Sequence, residues 1–420
     1  MWKNNSLRCV NSNPFKRVQN YRILNKSRLK KILVILSLVA VAIILSLLGG
    51  AAYAADDGRA ELNENIKKLL ESLDLSELQK YLDGNPESYL FNFGNTAKEI
   101  VEYLISGNLS TDYNGYLSEL FSIIFKDVIS LIPAFSTVTA VSILSAIVSS
   151  AEGGIIGKST AKIVHLACYS VIILIISSML VGIVGGCTEC IDAVRKQIEI
   201  FTPILATLTV LTGGTSSAAI YQPSAIFLSG GAVEIVSSFI FPATIGVIVL
   251  GFMSKLNDQM SFAGVTNLLK SLMKWVIGIT VTVFSIFITA QSSASSLFDG
   301  IIFKATKYVI GNSVPIVGNF LSSGFDMLQS AGLLIKSSVG TCGIILLLFE
   351  IIQPVILLVS FSIILKIVGA IVQPIGENTL YSLLSDLSKD IEYFVAGLLT
   401  VAFMYALVIM LIVNSANSFI

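Results

Sequence analysis

The chain has 420 residues, 54% of them hydrophobic and 13% charged, with a formal net charge of zero and a mean hydropathy of +0.82. A water-soluble domain carries more charge than this on its surface, so the composition excludes an ordinary soluble protein and calls for a polytopic membrane chain. The charge is uneven: nine Lys or Arg and no acid precede Asp56, 14 acids against 6 bases (6 − 14, a net of −8) fill Asp56 to Asp127, and the other 12 bases and 13 acids are sparse.

Lys30 and Lys31 precede an apolar run, Ile32 to Leu48, and then "GGAAYAADD". Ala52-Tyr53-Ala54 fits a small-x-small cleavage site with the cut before Ala55. The other reading is an uncleaved anchor, because the 17-residue run is long for a signal core and marginal for a span. Residues 1–54 therefore read as a basic cytoplasmic segment and signal sequence, with Asp56 onward outside. The basic segment suits anionic membrane lipid; beyond that charge nothing points to nucleic acid. Residues 55–127 are the water-loving part. There "ELNENIKKLLESLDLSELQKYL" sets Leu62, Ile66, Leu69, Leu70, Leu73 and Leu78 near helical spacing, "DGNPES" interrupts it, and "TAKEIVEYLISG" and "YLSELFSIIFKDV" resume it. The pattern predicts a small helical extracytoplasmic region. It is either packed on the membrane domain or a partner, or is a solvated acidic cap.

Residues 128–420 form the membrane domain. Its apolar runs are Val128–Ser150, Ile163–Gly186, Ile235–Ser254, Trp275–Ser293, Gly343–Leu365 and Phe394–Val413. Each is near the length that crosses about 30 Å of hydrocarbon. Between them, "ECIDAVRKQIEIF", "SLFDGIIFKATKYVI" and "TLYSLLSDLSKDIEYF" have the pattern of interfacial helices, or of the polar ends of tilted spans. The expected fold is all-α and polytopic, with about six transmembrane helices. Six spans put Lys158, Lys162, Lys255, Lys270, Lys274, Lys366 and Lys389 inside. Arg195, Lys196, Lys304, Lys307 and Lys336 then fall outside, a weak positive-inside bias that leaves the C-terminus outside.

Two segments fit neither class: "TPILATLTVLTGGTSSAAIYQPSAIFLSGG" (Thr202–Gly231) and "GNSVPIVGNFLSSGFDMLQSAG" (Gly311–Gly332). In hydrocarbon every backbone N–H and C=O needs a partner, so irregular backbone persists only where protein or water covers it. Glycine permits turns and close helix contact, and Pro315 removes a donor. The segments read as re-entrant or broken helices lining a cavity or an interface, as at transporter binding sites, or as tight packing with no pathway. The candidate path or interface residues are Pro203, Gly213, Gly214, Pro315, Gly324 and Asp326. Glu234 and Glu350 join them, because a carboxylate at membrane depth faces protein or water. The settings match: Pro203 and Pro315 lie 39 residues before Pro242 and Pro354, and "NLLKSL" at Asn267 pairs with "NTLYSL" at Asn378. A tandem repeat over 163–274 and 275–392, closed by a helix at 394–413, is the reading this supports.

Chemical motifs are poor. "EGGIIGKST" has Glu152 where a phosphate-binding loop needs glycine, and it follows no strand. Cys187 and Cys190 form a lone C-x-x-C with no second pair or nearby histidine, so a disulfide or small apolar filling are its readings. His165 is the single histidine, which rules out a Ser-His-Asp triad apart from that one residue and a histidine-based zinc cluster. No catalytic residue, cofactor or metal is expected.

"TPILATLTVLTGGTSSAAIYQP" and "GNSVPIVGNFLSSGFDMLQSAGLLIKSSVG" closely resemble the stage III sporulation protein AE family of endospore-forming Firmicutes, and the resemblance extends over roughly residues 55–420. The layout of signal sequence, short extracytoplasmic region and polytopic domain agrees. The resemblance implies a mother-cell membrane protein at the engulfed forespore, in the outer forespore membrane. It also implies membership of a multiprotein channel or secretion-like complex spanning the intermembrane space. Other stage III sporulation proteins, membrane and ring-forming, are the implied partners, and self-association stays open. That complex supports forespore integrity and late forespore gene expression. The family brings no assigned catalytic residues, so a non-enzymatic role is expected. The alternatives are a secondary permease for a small solute, from the paired breaks and carboxylates, and a pure assembly scaffold for partner rings.

Overall fold

The computed structural model describes residues 59–84, 96–106, 113–150, 158–256, 262–313, 318–375 and 378–415, and helices carry nearly all of these. The expected signal sequence lies outside the described residues. No strand occurs among them. Six helical stretches are long and apolar enough to cross a membrane: Val128–Val148, Ile163–Leu211, Thr215–Leu256, Ala263–Gln291, Met327–Val372 and Asn378–Asn414. The protein is an all-α, multi-pass membrane protein.

Three short helices come first: α1 (Arg59–Ser72), α2 (Ser76–Gly84) and α3 (Ala97–Ser106). Asp74 caps α2, its carboxylate accepting the Ser76 N–H at 3.0 Å, and the Thr96 hydroxyl accepts the Glu99 N–H at the start of α3. The Gln79 side chain accepts the Ala97 N–H at 2.7 Å, tying α2 to α3. Ile66, Leu70, Leu73, Leu78, Leu82 and Val101 are buried. The group does not float: α1 and α3 pack on α9, and α2 on α5.

The membrane domain is built from hairpins of long helices. Helix α4 (Tyr113–Ser150) pairs with α5 (Lys158–Leu211). Helix α6 (Thr215–Ile235), a π-helical turn Val236–Ile240 and α7 (Phe241–Leu256) return along α5. Helices α8 (Ala263–Ser313) and α9 (Gly318–Val372) follow, then a 3₁₀ turn Gln373–Ile375, α10 (Asn378–Asp390) and α11 (Glu392–Asn414). The π-turn sits just before Pro242, whose missing N–H leaves a carbonyl of that turn without its regular partner.

The lengths differ from expectation. At 1.5 Å per residue the 54 residues of α5 run about 81 Å, against about 30 Å of hydrocarbon, and a tilt of up to about 40° does not absorb the difference. Helices α8 and α9, with 51 and 55 residues, are likewise longer than one straight crossing needs. Of the two readings of the amphipathic stretch the second holds: it runs on from the span in one helix to Leu211, and the break falls at Gly213 within Thr202–Gly231. In "ECIDAVRKQIEIF" Ile191, Val194, Ile198 and Phe201 recur on one buried face, while Glu189, Asp192, Lys196 and Glu199 stay exposed. An amphipathic stretch with that spacing has no reason to leave the helix.

Between apolar helices in lipid, close packing and polar links replace the hydrophobic drive. Helix α9 supplies the close approach. A Cβ on Gly340 would overlap Val413 Cγ2, and one on Gly343 would stand 3.1 Å from the Tyr405 hydroxyl and 3.2 Å from the Phe201 ring. Gly397 of α11 likewise admits Val236 and Phe241 at the π-turn, where Phe241 and Phe394 meet edge to face, 5.0 Å between centroids.

Candidate functional site

The first Gly-rich segment is a hairpin tip. Helix α5 passes Pro203, which is exposed within it, and ends at Thr212–Gly214. Gly213 adopts φ 89°; its N–H reaches the Val210 carbonyl at 3.0 Å and that of Gly214 the Thr209 carbonyl at 2.8 Å. This is the paired closure that a left-handed residue gives a helix end, and it is the reason glycine stands there. The Gly214 carbonyl then accepts the Ala218 N–H and opens α6. The break lies at Gly213, within the expected segment and ten residues after Pro203, because one lost backbone bond bends a packed helix less than a left-handed residue turns it. Gly213→Ala is expected to cost about 1–2 kcal/mol, read as a lower melting temperature in detergent.

Helix α9 crosses this tip. Gln329 Nε2 donates to the Thr212 carbonyl at 3.3 Å, and a Cβ on Gly332 would stand 2.7 Å from Thr212 Cγ2. The two Gly-rich segments, more than a hundred residues apart, thus touch at Thr212. Pro315 lies outside the described residues. Gly324 and Asp326 fall in the first turns of α9, and their surroundings also lie outside.

Glu350 belongs to a polar joint between α2, α5 and α9. The Tyr81 hydroxyl donates to Glu350 Oε2 at 3.3 Å and accepts from Gln197 Nε2 at 2.8 Å. Cys190 Sγ donates to the Glu350 carbonyl at 3.3 Å. Gln197 is wholly buried. Burial pushes the Tyr81 phenol well above its usual range; the Gln197 bond opposes this and the Glu350 carboxylate adds to it, so the hydroxyl stays protonated and able to donate. Close by, the Tyr405 hydroxyl is buried without a hydrogen-bond partner.

Glu234 plays a different part. It is exposed, meets Arg195 at 3.5 Å across the α5–α6 hairpin, and accepts the Ser238 hydroxyl. A surface pair of this kind contributes about 0–1 kcal/mol. The described candidates thus take separate places. Gly213 and Gly214 lie at the tip, Glu350 at the joint and Glu234 on the surface.

Two polar links were missed. Lys336 is fully buried and donates to the carbonyl and hydroxyl of Ser415, the latter at 2.9 Å, an ammonium at a helix C-terminus where the dipole favours it. Lys270 lies 2.6 Å from Asp390 Oδ1, a close ion pair. A lone lysine in an apolar run was a visible signal for the first; Lys270 and Asp390 carry none for each other. Among the described residues, no three His, Cys, Asp or Glu group as metal ligands. Cys187 and Cys190 are free and buried, and His165 Nδ1 lies 3.0 Å from the Ser145 hydroxyl.

The family model described as stage III sporulation protein AE matches residues 95–416. The chain belongs to the stage III sporulation protein AE family. The match takes in α3 to α11 and both Gly-rich segments. A relative named stage III sporulation protein AE, from Bacillus subtilis (strain 168), is 24% identical over 387 residues, which are 90% of this chain and 97% of that protein. No solved structure matches.

Proposed function

We propose that the chain is a membrane component of the channel or secretion-like complex between mother cell and forespore, needed for endospore formation and late forespore gene expression. Its place is the mother-cell membrane around the forespore, and its partners are other stage III sporulation proteins, membrane and ring-forming. The family match over residues 95–416 carries this reading. The polar helices α1–α3, packed on α5 and α9, support it physically as a surface for partner proteins. A small-solute permease is less well served, because Glu234 pairs with Arg195 and Glu350 with Tyr81 in contacts that hold elements together.

A strain lacking the gene, carrying a late forespore reporter, tests this. The intact chain is expected to restore spore formation and reporter expression. Normal spores without the chain would remove the proposal.

A further inference from the structure

At one end of the bundle, α7, α8 and α10 enclose a cleft of about 130 Å³, some ten times the minimum a water needs. Its polar lining includes Lys255, Lys270, Asp386 and Asp390; its apolar wall includes Ile248, Phe252 and Leu387. The end it occupies carries the marks of a bilayer edge: Lys274 and Trp275 come one turn after Lys270 on α8, and Trp275 is 68% exposed.

The four charges are not equally engaged. Lys270 and Asp390 are committed to each other at 2.6 Å, and Asp390 is buried. Asp386 meets only the neighbouring Lys389 of its own helix, at 2.9 Å, with both side chains about half exposed; such pairs are weak and exchangeable. Lys255 has no ion pair among the described residues. The cleft thus offers one available ammonium and one available carboxylate around a satisfied pair. A free ammonium beside an exchangeable carboxylate suits a ligand bearing both signs.

We propose that this cleft holds the headgroup of an amine-bearing zwitterionic phospholipid, with its phosphate on Lys255 and its primary ammonium on Asp386. The ammonium keeps three N–H donors for the carboxylate, which a trimethylated headgroup lacks. The apolar wall receives the start of the acyl chains, so a lipid is favoured over a soluble phosphoamine.

The test is thermal melting of the full-length protein in detergent, titrated with phosphatidylethanolamine, phosphatidylcholine or phosphatidylglycerol of identical chains, and with soluble phosphoethanolamine. Phosphatidylethanolamine is expected to raise the melting temperature by several degrees. The shift should fall stepwise as the amine is methylated, and soluble phosphoethanolamine should give none. Lys255→Gln and Asp386→Asn should each lose the phosphatidylethanolamine shift while melting like wild type without lipid; both leave the Lys270–Asp390 pair intact. Equal shifts from all three lipids, an undiminished shift in either variant, or the same shift from soluble phosphoethanolamine would overturn the proposal. The methylation series on the wild-type chain decides the matter even if a variant folds poorly.

Discussion

Gly340→Leu is expected to remove most of the protein from membranes. Helix α9 passes α11 so closely there that even a Cβ overlaps Val413 Cγ2, with Ile409 Cγ2 at 3.5 Å. A leucine must push α9 and α11 apart or force Val413 and Ile409 off their rotamers. Overpacking of this kind costs about 1–3 kcal/mol or more, a large share of a stability of about 5–15 kcal/mol. The loss should exceed that figure's lower end, because α11 is buried along most of its length and has little room to retreat. Gly182→Leu is the control: nothing lies within 4 Å of a Cβ there, and the substitution should leave protein level and melting temperature unchanged. Trimming the partner, Gly340→Leu with Val413→Ala, should recover part of the loss. Normal accumulation of Gly340→Leu would mean that α9 and α11 do not approach at this point.

The second large effect is expected at the polar joint. Gln197→Leu removes the donor to Tyr81, and Tyr81→Phe removes the hydroxyl that reaches Glu350. Tyr81→Phe strands the buried Gln197 amide, at a cost of about 1–3 kcal/mol; Gln197→Leu leaves the Tyr81 hydroxyl its bond to Glu350 and costs less. The double variant should cost little more than the worse single one, since both break one network; a coupling of about 0.5–3 kcal/mol is the signature. The joint is what fastens α2 to the bundle, so Lys67, Lys68 and Lys98, all exposed, should become more open to trypsin in either variant. Additive costs with unchanged trypsin cleavage would show that Tyr81 and Gln197 do not act together.

Much of the architecture was legible in the residues. The six apolar stretches, the helical spacing of Leu70, Leu73 and Leu78, and the turn at Gly213 follow from hydropathy and backbone chemistry, and the two Gly-rich segments carried the family. Helix length was not legible. Glu189 to Glu199 look like an interfacial helix by charge, yet Ile191, Val194, Ile198 and Phe201 keep them in register with the rest of α5. Pro203 itself sits within the unbroken helix, and the turn falls to the glycines after it. Partner choice was hidden as well. Glu234 and Glu350 are both acids near apolar runs, and only the fold separates one on the surface beside Arg195 from one held by Tyr81. Lys270 finds Asp390 across 120 residues, and no local pattern encodes such a meeting.

The central claim is that the chain works inside a multiprotein sporulation complex. Mild-detergent purification of the tagged full-length chain from sporulating cells, with mass spectrometry of everything recovered in fixed ratio, tests it most directly. The account predicts other stage III sporulation proteins in that set. Recovery of the chain alone, from cells in which those proteins are present, would contradict it.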